Sequence, residues 1–541
     1  MLSLRALLAV LVPVLSLAAQ SNGVSGLDCR ISNLGEILAA GRTGTYPNGL
    51  NGLGGATTIC NIGTVQVDWY RAMDPRHPFI ATIVARESDG RMVQISDRSY
   101  VKHGFTSTNT QITNCGTCQN PGTGDKLGLY CTDTYSASLN ANSYYLAPPD
   151  EVDPFLGTWN PVGSHFDRGE PDVGSPANRD GVRSLTNSQV TAMGPIAHRV
   201  KVSDQDLVVG GARFYYQAFY VITGELEAVR GNSLASREFT SRWDSGLGRF
   251  VFTVQGATQE GTVLARWTGA TVTSAANGAD DGRYYVAVKV SGPVAGLYHY
   301  EFAIQNRDNR RGANGLRIPI CSAAEVRNVG FRDVDALAAN DWSFTREGGD
   351  LVFRTSDNPL LWNTIYNVWF DSDAAPASAP LVLEQHGAGP GAATVSVASQ
   401  APLELANLGV GPGCGAPAPR LYAAGNPARA LLGNQSFGLV LDGVAGGAAC
   451  VVLLGHPGSL ALGGGCTAWL DLQQTMLAVP ITAGGSGVGL LALPVPNSAT
   501  LEGTALATQG CELQSGGAWL GQLDFSNGLK VRVGSNLPGC P

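Results

Sequence analysis

Tyr284-Tyr285-Val286-Ala287-Val288-Lys289-Val290 decides the fold. On an extended chain Tyr284, Val286, Val288 and Val290 share one face, while Tyr285, Ala287 and Lys289 form the opposite, wetter one. No helical period of useful length competes with this alternation. The same reading extends outward to His198–Val202, Phe214–Ile222, Arg249–Val254, Tyr298–Ile304, Leu351–Arg354 and Ile365–Phe370. Turn formers such as Glu347-Gly348-Gly349-Asp350 punctuate them at the intervals of a sandwich. Residues 191–395 therefore read as a β-sandwich domain.

Further out the composition changes. A Pro/Ala/Gly-rich border at Ala374–Pro380 and Gly387–Ala392 leads into residues 400–541, where only ten residues are charged. Strand-length apolar runs there (Phe437–Leu441, Cys450–Leu454, Trp469–Leu472, Val488–Leu493, Trp519–Phe525) alternate with glycine-rich turns, which predicts a second sandwich. Toward the N-terminus, Val65–Tyr70 and Phe79–Val84 read as strands, but after Tyr100 periodicity fades into Gly, Asn, Thr, Ser and Pro. Residues 20–190 are thus expected to be loop-rich, with some β structure, pinned by cysteines; Glu36–Gly41 alone invites a turn or two of helix. Such a long irregular tract is the first place to look for a site. The fold class expected is all-β: tandem β-sandwich domains behind a cysteine-containing, loop-rich region.

The bulk numbers agree. With 70 glycines, 29 prolines and 14% charged residues, the chain favours short strands and tight turns over long solvated helices. A net charge of −8 without a basic stripe speaks against nucleic acid as a partner. Residues 1–19 read as a secretory signal: Arg5 precedes an apolar run through Leu17 and the small residues near Ala18 and Ala19. The apolar stretch Leu439–Leu454 contains Asp442 and glycines, so no transmembrane segment is expected in the mature chain. Eleven cysteines in an exported chain read as a disulfide set with one left over. Cys450 and Cys466, which enclose a strand-turn-strand segment, are the expected pair.

Two phrases in the middle region, Leu297–Asn306 and Asn358–Asn367, resemble a group of uncharacterised secreted bacterial proteins with β-sandwich domains. The segment from Gly413-Cys414-Gly415 through Ser526-Asn527-Gly528-Leu529 resembles a glycine-rich C-terminal β domain appended to many exported proteins. The resemblance spans about the last two-thirds of the chain, implies architecture, and carries no activity or site residues.

Candidate chemistry concentrates in the N-terminal region. His103, Cys115, Cys118 and Cys131 contain a Cys-x-x-Cys pair and could complete a tetrahedral zinc site, although exported cysteines tend instead to oxidise. Asp167, Glu170 and Asp172 offer carboxylate oxygens for calcium, against the plainer reading of solvated loop charges. Trp159 and Trp243, in polar, glycine-flanked contexts, are candidates for stacking on sugar rings, though a core position is the commoner fate of tryptophan in a sandwich. No Gly-x-Ser-x-Gly elbow, His-Glu-x-x-His or phosphate-binding Gly-rich loop is present. The expected function is accordingly that of a secreted, non-catalytic β protein for adhesion, surface structure or glycan binding. The alternative is a secreted hydrolase or metal-binding enzyme with its site in the N-terminal Cys/His/Asp-rich region.

Overall fold

Strands such as Cys29–Thr43 and Leu50–Asn61 come first, and they are far longer than the N-terminal region leads one to expect. A computed structural model describes residues 23–534 except 113, 169–178, 278–281, 295, 323, 406 and 475. The expected secretory signal at 1–19 lies outside the described residues. Of the structure, 52% is strand and 7% helix, so the chain is all-β.

The first unit is itself a two-sheet sandwich. One sheet joins Cys29–Thr43 to Leu50–Asn61, which also pairs with Val200–Ser203 and Thr132–Tyr135. The other runs Arg249–Glu260, Leu234–Asp244, Arg213–Val221, Phe79–Ser88, Val101–His103 and Leu146–Ala147. Between them lies a core that includes Ile31, Leu34, Ile59, Trp69, Ile80, Val84, Tyr216, Tyr220 and Phe239. Two sequence expectations change here. Glu36–Gly41 lies within the strand Cys29–Thr43, because pairing with Leu50–Asn61 overrides its weak helical preference. Strands on either side of residue 190 are hydrogen-bonded to one another, as in Phe79–Ser88 with Arg213–Val221. Glycine makes the packing between sheets possible: a Cβ on Gly55 would lie 2.6 Å from the Tyr216 ring.

The second unit stacks two five-stranded sheets. One is ordered Thr271–Ala276, Arg283–Val294, Leu297–Asn306, Thr364–Ser372 and Val326–Arg332; the other is Ser343–Glu347, Asp350–Arg354, Ala313–Pro319, Ala375–Gln385 and Thr394–Glu404. Tyr284, Val286 and Val288 all enter its core, as their alternation predicts. The expected turn at Glu347–Asp350 closes a hairpin through Gly348 at φ +61°.

The third unit pairs a five-stranded sheet (Asn407–Gly411, Gly521–Arg532, Ala505–Gly517, Ala449–Gly455, Leu477–Thr482) with a three-stranded one (Arg420–Ala424, Gly438–Asp442, Val488–Ala492). Its core gathers Leu421, Leu439, Leu441, Val452 and Val531. No helix among the described residues is long and apolar enough to cross a membrane.

The disulfides are Cys60–Cys115, Cys118–Cys131 and Cys414–Cys466, and Cys321 is also disulfide-bonded. The expected Cys450–Cys466 bond is therefore corrected. Cys450 projects into the apolar core with Val452 and Leu454, whereas Cys466 joins Cys414 and Phe525 in a separate cluster. Cys29, Cys450 and Cys511 are free thiols, all buried.

Candidate functional site

The expected zinc set does not assemble. Three of its members are consumed in disulfides, Cys115 with Cys60 and Cys118 with Cys131, which leaves no thiolate for a metal. His103 turns away to a different partner, its Nδ1 lying 2.7 Å from Nε2 of His77. Around it the rings of Phe79, Trp159 and Phe166 close within 4.5–5.0 Å of its centroid. Burial drives the pKa of both histidines down, so the pair is neutral.

Of the expected calcium set, Glu170 and Asp172 lie outside the described residues. Asp167 is buried and spends one oxygen, Oδ2, on the backbone N–H groups of Gly163 at 2.8 Å and Gly181 at 2.9 Å. It organises a loop. Trp159 is corrected as a sugar-stacking candidate: it is 6% exposed, and its indole N–H donates to the Asp74 carbonyl at 2.9 Å. Trp243 is half-buried. Tyr46 stacks on it with centroids 4.3 Å apart and planes 11° from parallel, and the Arg42 guanidinium lies over the same ring at 4.7 Å. Tyr46, 41% exposed, offers the larger share of the surface there.

A cavity of about 540 Å³ opens elsewhere, at the junction of the second and third units. The second unit supplies Tyr298 at the start of its strand Leu297–Asn306, Glu325, Asp373 and Glu404; the third supplies Arg420, Tyr422, Arg429 and Asn527. Local backbone places them. The hairpin between Arg283–Val294 and Leu297–Asn306 reaches across to the third unit, where Gly296 at φ +74° abuts Tyr422 so closely that a Cβ would lie 2.6 Å from it. Asn527 fills the outer edge of Arg420–Ala424, accepting from the Leu421 N–H at 2.8 Å and donating to its carbonyl at 3.0 Å.

Charge is balanced across the cavity. Arg420 pairs with Glu325 at 3.1 Å and Arg429 with Glu404 at 2.9 Å, each joining one unit to the other. Glu325 is also paired with Arg327. Asp373 accepts from the Glu325 N–H at 2.7 Å. Burial, reinforced by the Glu325 charge, lifts its carboxyl to about 6 despite that hydrogen bond. The cleft thus presents two phenols among alternating carboxylates and guanidiniums, a set of fixed donors and acceptors suited to vicinal hydroxyls.

None of these residues was singled out by the sequence, because Tyr298 and Asn527 stand more than 200 positions apart and share no motif. One signal was available. Glu404, Arg420 and Arg429 are three of only ten charged residues from 400 onward, and all three line the same cavity.

No protein-family model and no curated protein matches the chain. Among solved structures, the chain is similar to the major pilin subunit of Bacillus cereus at 7% identity and a TM-score of 0.18, over 56% of this chain and 85% of that one. It is similar to a tetra-tandem repeat in the extending region of a large adhesion protein at 10% identity and a TM-score of 0.14, over 91% and 97%. For native E. coli alpha-2-macroglobulin the values are 10% and 0.16, over 94% and 23%. TM-scores this low carry no argument.

Proposed function

We propose that the chain is an exported, non-catalytic β protein that acts at a surface by binding glycan in the cleft between its second and third units. The supporting observation is the cleft itself: tyrosines 298 and 422 among ion pairs that leave no large net charge, in a volume within the range of small-molecule sites. A charge-balanced, hydrogen-bonding cavity favours a neutral polyhydroxylated ligand over an anion or a cation. Export is supported by the signal read in residues 1–19 and by the disulfides, which persist in oxidising compartments. The glycine-rich unit expected at 400–541 meets, at the cleft, the sandwich built from Thr271 to Glu404, the part of the expected 191–395 domain that lies outside the first unit.

The test is a glycan array followed by calorimetric titration of the best ligand against wild type, Tyr422→Ala and Glu325→Ala. Binding that falls at least about tenfold in both variants supports the cleft. Binding unchanged in both, or silence across the array, overturns it.

One observation favours a second reading, hydrolysis of the bound glycan. Asp373, held up at about 6 by burial and by the Glu325 charge, accepts from the Glu325 backbone N–H, and a carboxyl that keeps its proton toward neutral pH is what a glycosidase uses as its general acid. Release of reducing ends from an array-positive glycan, lost in Asp373→Asn, would select that reading.

A further inference from the structure

The smaller sheet of the third unit ends on an open strand. Among the described residues Val488–Ala492 forms a ladder only with Gly438–Asp442, and at its first residue the Val488 carbonyl accepts from the Gly484 N–H at 2.8 Å. The Leu493 N–H donates to the Phe437 carbonyl at 2.9 Å. That contact sets the register: Gly489 and Leu491 exchange bonds with the neighbouring strand, and the N–H and C=O groups of Leu490 and Ala492 point away from the sheet. The side chain of Leu490 is 63% exposed and that of Val488 37%. Beside them runs the edge strand of the larger sheet, Leu477–Thr482, whose Ile481 packs where a Cβ on Gly489 would lie. Leu477 there is 60% exposed.

Sheet edges of monomeric proteins are ordinarily blunted by charge, by proline or by a bulge. Leu477–Thr482 carries Pro480, which removes a backbone donor from that edge. Val488–Ala492 has no such device, and no charged residue occurs anywhere between Asp471 and Glu502. On a chain of net charge −8 this is a face on which two copies meet without repulsion.

We infer that Val488–Ala492 pairs antiparallel with the same strand of a second copy. A five-residue strand that pairs with itself centres on its middle residue, so the two-fold axis passes beside Leu490. The outward backbone groups of Leu490 then bond reciprocally, and the two three-stranded sheets become one of six strands. The contact is isologous and closes at two copies. It does not depend on the cleft having a ligand.

Sedimentation velocity of the full chain over a wide concentration range tests it. Wild type is expected to dimerise reversibly. Leu490→Lys and Val488→Lys each raise the dissociation constant at least about tenfold. Leu520→Lys, at a leucine 77% exposed elsewhere in the unit, leaves the constant unchanged. Hydrogen exchange on wild type gives a readout independent of variant folding: protection of the Leu490 and Ala492 amides rises as the dimer fills. A monomer at every concentration, a dimer indifferent to both lysines at the edge, or unprotected amides in a filled dimer overturns the inference.

Discussion

Lowering the pH from 7 to 5 is expected to weaken the first unit through two histidines that refuse protons where they stand. His77 and His103 are both 0% exposed, and each takes the other as a hydrogen-bond partner at 2.7 Å. Burial, aided by the nearby Lys102 charge and opposed by the Arg71 carbonyl, holds His77 down at about 3 from an ordinary 6.5. His103 is held well below its ordinary value by burial first, and then by the charges of its neighbours. In the unfolded chain both protonate near 6.5. The stability that the neutral pair confers is therefore complete above that pH and is lost as the pH falls below it, for His77 down to about 3. At about 1.4 kcal/mol per pH unit, each histidine costs about 2 kcal/mol at pH 5, and the pair about 4 kcal/mol.

Urea unfolding followed by tryptophan fluorescence at pH 7, 6 and 5 measures this, with the double variant His77→Gln/His103→Gln as the reference. Glutamine keeps donor and acceptor atoms in place but does not titrate. Two other groups push the opposite way. Glu225, lifted to about 7, and Asp373, lifted to about 6, gain stability as acid is added. Both are present in wild type and variant alike, so the difference between the two curves isolates the histidines. Wild type should lose about 4 kcal/mol relative to the variant between pH 7 and 5. Parallel curves would refute the reasoning.

Two further outcomes follow from the geometry. Asp373 keeps its proton to about 6 when folded against an ordinary 3.8, so wild type loses stability as the pH climbs through that window. Asp373→Asn should be more stable by about 2 kcal/mol at pH 7.5, after allowance for partial exposure, and no different at pH 3.5, as read from thermal melts at both pH values. Gly55→Val drives a side chain into the Tyr216 ring, 2.6 Å from where a Cβ would lie, and should destabilise the first unit by about 1–3 kcal/mol in urea; unchanged stability would mean the sheets do not approach as described.

Periodicity made the second unit legible. Tyr284, Val286 and Val288 alternate because one face of their strand meets another sheet, and that pattern is local to seven residues. The first unit was harder to read for an equally local reason. Leu50–Asn61 is buried almost throughout, with Gly54 and Gly55 giving way to Ala141 and Tyr216, so it shows no alternation and carries glycines that read as turns. Two of its partners, Thr132–Tyr135 and Val200–Ser203, lie about 75 and 150 residues away, and nothing short-range announces them. Cysteine spacing misled at Cys450 and Cys466, because a bond requires the two Cβ vectors to converge at close range and separation along the chain does not report where a side chain points. The cleft was invisible for the same kind of reason: its charged groups come from two units and converge only after both have folded.

The two junctions between units differ in kind. Between the first and second units a shared apolar cluster includes Ile83, Met92 and Tyr215 from one side and Trp267, Ala287, Ala303 and Ile365 from the other. Side-chain amides reinforce it, with Asn367 donating to the Met92 carbonyl at 2.9 Å and Gln94 accepting from the Ile365 N–H at 2.9 Å. Arg91 adds a fork onto Glu301 while lying over Trp369 at 3.7 Å. Separating those two units would expose apolar surface and strand buried polar groups. Among the described residues the second and third units share no such cluster; their cores close separately, and Arg420–Glu325 and Arg429–Glu404 reach across a cavity. These pairs are partly buried, the Arg429 and Glu404 side chains being only 13% and 18% exposed. The proposed ligand would thus contact the junction that has no shared apolar cluster among the described residues, while the first and second units stay joined through theirs.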